Sequence, residues 1–193
     1  MRLHLASEVT PLWEATEAYL EQHNIPPPYW AFPWVGGQAL ARYILDNPEL
    51  VAGKAVLDFA SGSGLVGIAA KMAGAATVLA TDIDKVALAA IELNAQINKV
   101  DLDASSRDVL DSEDCPWDLI VAGDVCYEKP MAEKTFAWLR RCSAGGAKAL
   151  MADPGRAYLP KTGLMRLAQM NIACSLDIED KSDRDVAIYQ IVG

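Results

Sequence analysis

Histidine is scarce in this chain: there are two, His4 and His23, and none in the middle or towards the end. The four cysteines, Cys115, Cys126, Cys142 and Cys174, form no Cys-x-x-Cys pair. These absences argue against a zinc site and suggest reduced thiols in a cytosol-like compartment. No basic stretch followed by an apolar core opens the sequence, and no apolar run reaches membrane-spanning length. A soluble, non-secreted, cytoplasmic protein is therefore expected, with no membrane partner. Positive charge is also short, with 17 Lys and Arg against 26 Asp and Glu and a net charge of −9. Binding nucleic acid needs clustered cations, so a large partner is expected to be a protein with a basic patch.

What the chain does have is apolar content, 52% of 193 residues, enough for one compact domain with a full core. It is organised around residues 54–67, KAVLDFASGSGLVG. Val56 and Leu57 read as a buried strand, residues 60–64 as a tight turn, and residues 65–72 as a helix pointing its N-terminus at the turn. Such a turn lets a ligand approach bare backbone and unpaired N–H groups.

Before it, residues 8–23 carry Val9, Leu12, Trp13, Thr16 and Leu20 at helical spacing, which predicts an amphipathic helix. The proline-rich run that follows places four aromatics, Tyr29, Trp30, Phe32 and Trp34, within six residues. They either pack the N-terminal helix or wall a pocket for an apolar or cationic group. A helix opens at Gly36-Gly37-Gln38 with Leu40, Tyr43, Ile44 and Leu45 inward. This divides the chain into an N-terminal segment, residues 1–35, and the main domain, 36–193.

After the organising loop, strands are predicted over residues 76–81, 102–106, 117–123 and 147–152. Helices are predicted over 85–98, with Val86, Leu88, Ala89, Leu93 and Ile97 inward, over 131–142 around Phe136, Trp138 and Leu139, and over 164–170. Residues 173–178 and 186–192 read as closing strands around a polar turn, 179–185. Alternating strands and helices give an α/β, Rossmann-like doubly wound sheet with helices on both faces. The expected count is seven strands, parallel but for an antiparallel C-terminal one. Ligands of such sheets sit at the carboxyl ends of the strands, here marked by Asp58, Asp82, Asp108, Asp124 and Asp153. Any one of these alone reads as a helix cap or surface acid.

Gly62-Ser63-Gly64-Leu65-Val66-Gly67 matches the dinucleotide fingerprint, with Asp82 at a distance suited to a ribose hydroxyl. Yet Asp58 stands four residues before the first glycine, where a pyrophosphate would be repelled. S-adenosyl-L-methionine (SAM) carries a sulfonium and an ammonium and no phosphate, so the same acid favours it. A nicotinamide-dinucleotide oxidoreductase is further disfavoured by the lack of a mid-chain histidine or a Tyr-x-x-x-Lys pair.

The run Asp58-x-Ala60-x-Gly62-x-Gly64 resembles motif I of class I SAM-dependent methyltransferases, with Ala60 where the first glycine usually stands. Residues 28–40, PYWAFPWVGGQAL, with Asp124-Val125-Cys126-Tyr127 and Asp153-Pro154-Gly155-Arg156, resemble the protein-lysine methyltransferases that carry an Asp-x-x-Tyr motif. Within that group they look closest to the electron transfer flavoprotein β-subunit lysine methyltransferases. The resemblance implies an enzyme whose protein substrate is that β-subunit, and a monomer is expected. Neighbouring labels in this group include ribosomal-protein and nicotinamide methyltransferases, so a ribosomal protein or small amine is the alternative substrate. It also implies cofactor contacts from Asp58, Ser61, Gly62, Gly64 and Leu65 in the loop, and from Asp82 and Ile83 near the ribose. Asp108 and Val109 would meet the adenine, and Trp34 and Gln38 the methionine end. Trp30 and Phe32 suit packing equally well, and Arg156 either docks an acidic feature of the substrate or pins its own loop.

Methyl transfer to an amine requires a positioned, neutral nucleophile. A lysine near pKa 10.4 is protonated at neutral pH, and exposing its lone pair costs on the order of 4 kcal/mol. An aromatic entry that desolvates the ammonium and a carboxylate that orients the amine lower that cost. By position, Asp124 is expected to orient the amine and Tyr127 to line its channel. The plainer reading has Asp124 capping the next helix and Tyr127 packing.

Overall fold

The computed structural model describes residues 1–5, 22, 27–174, 179 and 181–192. Apart from Gln22, the helix expected over 8–23 lies outside the described residues, as do residues 175–178 of an expected strand. The elements are α1 (Val35–Asp46), β1 (Ala55–Phe59), α2 (Leu65–Met72), β2 (Thr77–Thr81), α3 (Lys85–Asn98), β3 (Asp103–Ser105), β4 (Leu119–Gly123), α4 (Lys129–Ala144), β5 (Lys148–Asp153), β6 (Leu164–Ala173) and β7 (Asp183–Ile191). They build a seven-stranded sheet in the order β3-β2-β1-β4-β5-β7-β6. Strands β1 to β5 pair in parallel, and β7 runs antiparallel to both β5 and β6, so six strands point one way.

The central strands are apolar on both faces because both faces are covered. Val56, Leu119, Val121 and Leu150 face Val35, Leu40 and Ile44 of α1 and Val66 and Ala70 of α2. The alternate residues, Leu57, Phe59, Ile120, Ala122 and Met151, face Trp138 and Leu139 of α4. Because β1 to β5 run parallel, their carboxyl ends, each with an aspartate at or soon after it, lie at the same edge.

Two expectations are corrected. Residues 164–170 are not a helix; they belong to β6, which pairs along its length with β7. A bulge between Arg166 and Ala168 turns the adjacent Leu167 and Ala168 towards the same core as Met170 and Ile172. Leu164, Leu167 and Ala168 thereby fall at helical spacing within a strand. In α3 the helix itself is as expected, but its inner face is Ala87, Ala90, Ile91, Asn94 and Ala95, while Val86 and Leu93 remain half exposed. The small residues let α3 approach the glycine loop closely: a Cβ on Gly64 would come within 3.3 Å of Ile91.

Asn94 reads as a surface residue in the pattern, yet it is fully buried. Its amide donates to the Ser63 carbonyl at 2.8 Å, and its oxygen accepts from the His4 backbone N–H at 2.6 Å. Its truncation would strand the buried Ser63 carbonyl, so Asn94→Ala is expected to lower stability by about 2 kcal/mol in urea unfolding.

Candidate active site

Between β1 and α2 the backbone turns through Ala60 (φ +51°), Gly62 (φ +55°) and Gly64 (φ +81°), all left-handed. Glycine adopts this region freely, whereas alanine pays about 1–2 kcal/mol there, so the loop is held from several sides. Asp58 Oδ2 accepts from Ser61 Oγ at 2.6 Å and from the Gly67 N–H at 2.7 Å. Asp82 Oδ2 accepts from the Gly62 N–H at 2.9 Å, and the Ser61 N–H donates to the Thr81 carbonyl at 2.9 Å. Among the described residues no donor reaches Asp58 Oδ1. Burial pushes the Asp58 carboxyl up to about 6, against its bonds to Ser61 and Gly67, and burial also raises Asp82.

Asp124 follows β4 in a left-handed conformation, φ +56°, and is buried. Its Oδ2 accepts from the Gly36 N–H at 2.5 Å and the Gly37 N–H at 3.1 Å, two unpaired amides of the first turn of α1. Its Oδ1 accepts from Arg156 Nη2 at 3.0 Å and Nε at 3.3 Å. Arg156 Nη2 also donates to Glu179 Oε1 at 2.8 Å, and the second Glu179 oxygen pairs with Arg184. Burial raises the Asp124 carboxyl to about 6 against the pull of Arg156. Asp124 thus caps a helix, but α1 rather than the one that follows it.

The aromatic segment covers this edge. Trp34 Nε1 donates to the Tyr29 carbonyl at 2.7 Å, and the Arg156 guanidinium lies 5.7 Å from the Trp34 ring centre. Tyr29 meets the Tyr127 ring at 5.2 Å, and both are partly exposed. A cleft results, lined by Phe32, Pro33 and Trp34 of this segment, by residues 60–63 with Leu65 and Val66 of the glycine loop and α2, and by Asp58 and Asp124.

Of the residues anticipated from sequence, Trp34, Asp58, Ser61, Gly62, Leu65 and Asp124 line this cleft, and Gly64 caps α2 beneath it. Asp82 grips the loop from behind, with Ile83 beside it and 79% exposed. Tyr127 is not among the residues that line the cleft; it packs on Tyr29, whose ring in turn meets Trp34 at 6.0 Å. Gln38 lies on the far side of Trp34, its amide on the Pro33 carbonyl at 2.5 Å, beside a second cavity reaching Glu179. Asp108 is exposed and pairs with Lys134 at 3.6 Å, and Val109 is buried in the core beside α4. Sequence reasoning missed Glu179, Arg184 and the paired glycine amides of α1. Only Gly36-Gly37 opening a helix carried a readable signal.

The family model for ribosomal protein L11 methyltransferase (PrmA) matches residues 39–125. The human electron transfer flavoprotein β-subunit lysine methyltransferase is 47% identical over 131 residues, 67% of this chain and 50% of its own length. The Xenopus laevis protein of the same name is 42% identical over 168 residues, 84% of this chain and 68% of its own. The chain belongs to the electron transfer flavoprotein β-subunit lysine methyltransferase family. It spans from about half to two thirds of the length of these curated relatives. Magnesium protoporphyrin IX methyltransferase from Synechocystis, solved with bound SAM, shares the fold at TM-score 0.59 and 17% identity, over 81% of this chain and 78% of that one. The shared fold agrees with the Rossmann-like sheet described above.

The buried carboxyls set a pH dependence. Asp58 rises from an ordinary 3.8 to about 6 in the folded state, so the fold binds more protons than the unfolded chain between those values. Its contribution to stability is therefore full below the ordinary value and lost as pH rises through about 6, a change on the order of 3 kcal/mol. Stability is expected to rise when pH is lowered from neutral to about 5, and Asp58→Asn, which keeps an acceptor for Gly67, should flatten much of that slope. Urea unfolding at several pH values reads both.

Proposed function

We propose that the protein is a SAM-dependent protein-lysine N-methyltransferase acting on the electron transfer flavoprotein β-subunit. The observation that carries this reading is the cleft itself, which joins a glycine loop and a free Asp58 oxygen to Asp124. No Lys or Arg lines it among the described residues, which suits a ligand with a sulfonium and an ammonium and disfavours a pyrophosphate. Family membership supports the reaction and the substrate.

When bound, SAM supplies an activated methyl group to an in-line nucleophile. The chain's own residues arrange the rest. Asp58, Ser61, Gly62, Gly64 and Leu65 would hold the methionine end together with Trp34, and Gln38 would act from behind that ring through its bond to the Pro33 carbonyl. Asp82 and Ile83 would take the ribose, and Asp108 and Val109 the adenine side. Asp124, its Oδ2 fixed by two amides, offers Oδ1 to an amine N–H, while the Tyr127 and Tyr29 rings strip water from the entering lysine stem.

The match to the L11 methyltransferase model favours a second reading, a ribosomal-protein substrate. Labelled SAM incubated with this protein, purified electron transfer flavoprotein and, separately, ribosomes separates the two. Label is expected in the flavoprotein β-subunit, and label confined to ribosomal protein or small molecules would overturn that. Asp124→Asn is expected to cut the methylation rate by about 100-fold while S-adenosylhomocysteine binding by calorimetry persists. A smaller loss is expected for Tyr127→Phe, which keeps the ring.

A further inference from the structure

A bare carboxylate beside a target lysine has two opposed effects. It orients the amine, but it also stabilises the ammonium, which cannot accept a methyl group. The surroundings of Asp124 make this conflict acute. Asp153 lies next to it at the end of β5, Glu179 faces it across Arg156, and Asp58 stands across the cleft. Its own loop adds the Cys126 thiol and the Tyr127 hydroxyl, both raised to about 12 by burial and so neutral, and one further acid, Glu128, at the start of α4. From α1 it meets only the amides of Gly36 and Gly37. The cations near it are Arg156, in direct contact, and Arg184 behind Glu179.

We propose that Arg156 is a positioning residue that acts through Asp124, cancelling its charge so that the carboxylate can orient the target lysine while leaving the amine neutral. This rests on the reading that Asp124 meets the amine. The geometry fits the task on three counts. Arg156 reaches only Oδ1, the oxygen not committed to α1. It is held independently of Asp124, by Glu179 at 2.8 Å, by the Trp34 ring at 5.7 Å, and by its own N–H on Asp153 Oδ1 at 2.6 Å. Glu179 is buried and is itself tied to Arg184, so the guanidinium has a fixed seat. Of its two contacts to Oδ1, the Nε bond at 3.3 Å is the longer, and an arriving amine N–H displaces it at least cost. The ammonium proton leaves to solvent, the N–C bond forms as the methyl C–S bond breaks, and the rate follows the neutral fraction of the amine.

The test is single-turnover methylation across pH at saturating cofactor and protein substrate. With Arg156→Met the acid limb is expected to move up by at least one pH unit, a loss of about tenfold at neutral pH that closes towards wild type in alkali. Arg156→Lys should restore much of the limb. Glu179→Gln, which removes an opposing charge, should move it the other way, and this variant decides the matter if Arg156→Met does not fold. A uniform loss at all pH, or an unmoved limb, overturns the proposal. Asp124→Asn run in parallel separates the two ideas. If it leaves the rate intact, the Asp124 reading fails; if it loses the rate while the Arg156 and Glu179 variants leave the limb in place, only the role of Arg156 fails.

Discussion

The contact between the Asp124 carboxylate and the first turn of α1 is the constraint on which the site depends. It joins β4 to the segment that carries the aromatic wall, and it works only because the residues around it lack side chains. A Cβ on Gly36 would lie 2.4 Å from Asp124 Oδ2, and one on Gly123 would lie 2.8 Å from the Gly37 nitrogen. The helix can therefore press its bare amides against the end of β4. That contact satisfies two of the donors a helix start leaves unpaired, and it sets the preceding residues 29–34 over the glycine loop. A Cβ on Gly62 would come within 3.7 Å of the Trp30 Cα, which shows how closely the two halves of the site meet.

The same logic repeats along the carboxyl edge. Parallel strands end with their carbonyls and following side chains pointing one way, and at this edge those side chains are acids. They are answered by backbone N–H groups, from the turn that follows or from a neighbouring loop: Asp58 by Gly67, Asp82 by Gly62 and Asp84, Asp153 by Gly155 and Arg156. Amides stabilise a carboxylate without adding a mobile charge, so the edge stays acidic towards a ligand while its own loops are stitched together. Burial works against this and leaves Asp58 and Asp124 near 6, poised closer to neutrality than surface acids.

How much of this the sequence discloses depends on whether a residue's role is local. The strands β1, β2, β4 and β5 are continuous apolar runs, and α2 follows a glycine turn, so their positions are readable from composition and period. Asp58 and the loop are readable for the same reason, because the chemistry sits within ten residues. Asn94 and Glu179 are not. Each is polar and would be counted as surface, and each is buried because a partner distant in sequence, Ser63 or Arg156, completes it. The bulge in β6 hides a strand behind helical spacing, and the alanine face of α3 hides a close approach behind larger residues that stay outside. Val109 and Asp108 show the converse: adjacent in sequence after β3, one is in the core and the other is at the surface with Lys134.

On the proposed function, an acid-rich site has to receive an amine in its neutral form, which is a contradiction unless the acids are compensated unequally. Asp58 keeps an oxygen without a donor and faces the cleft, which favours a permanently cationic ligand. Asp124 has every oxygen engaged, by two amides on one side and a guanidinium on the other. A sulfonium cannot lose its charge, so an uncompensated carboxylate only strengthens its binding. An ammonium can, so beside it the carboxylate has to be neutralised. The two aspartates end neighbouring strands and are about equally raised by burial, and what distinguishes them is the company of Arg156. On the proposed function, that difference lets one edge of one sheet hold a cation and a neutral base within the same cleft.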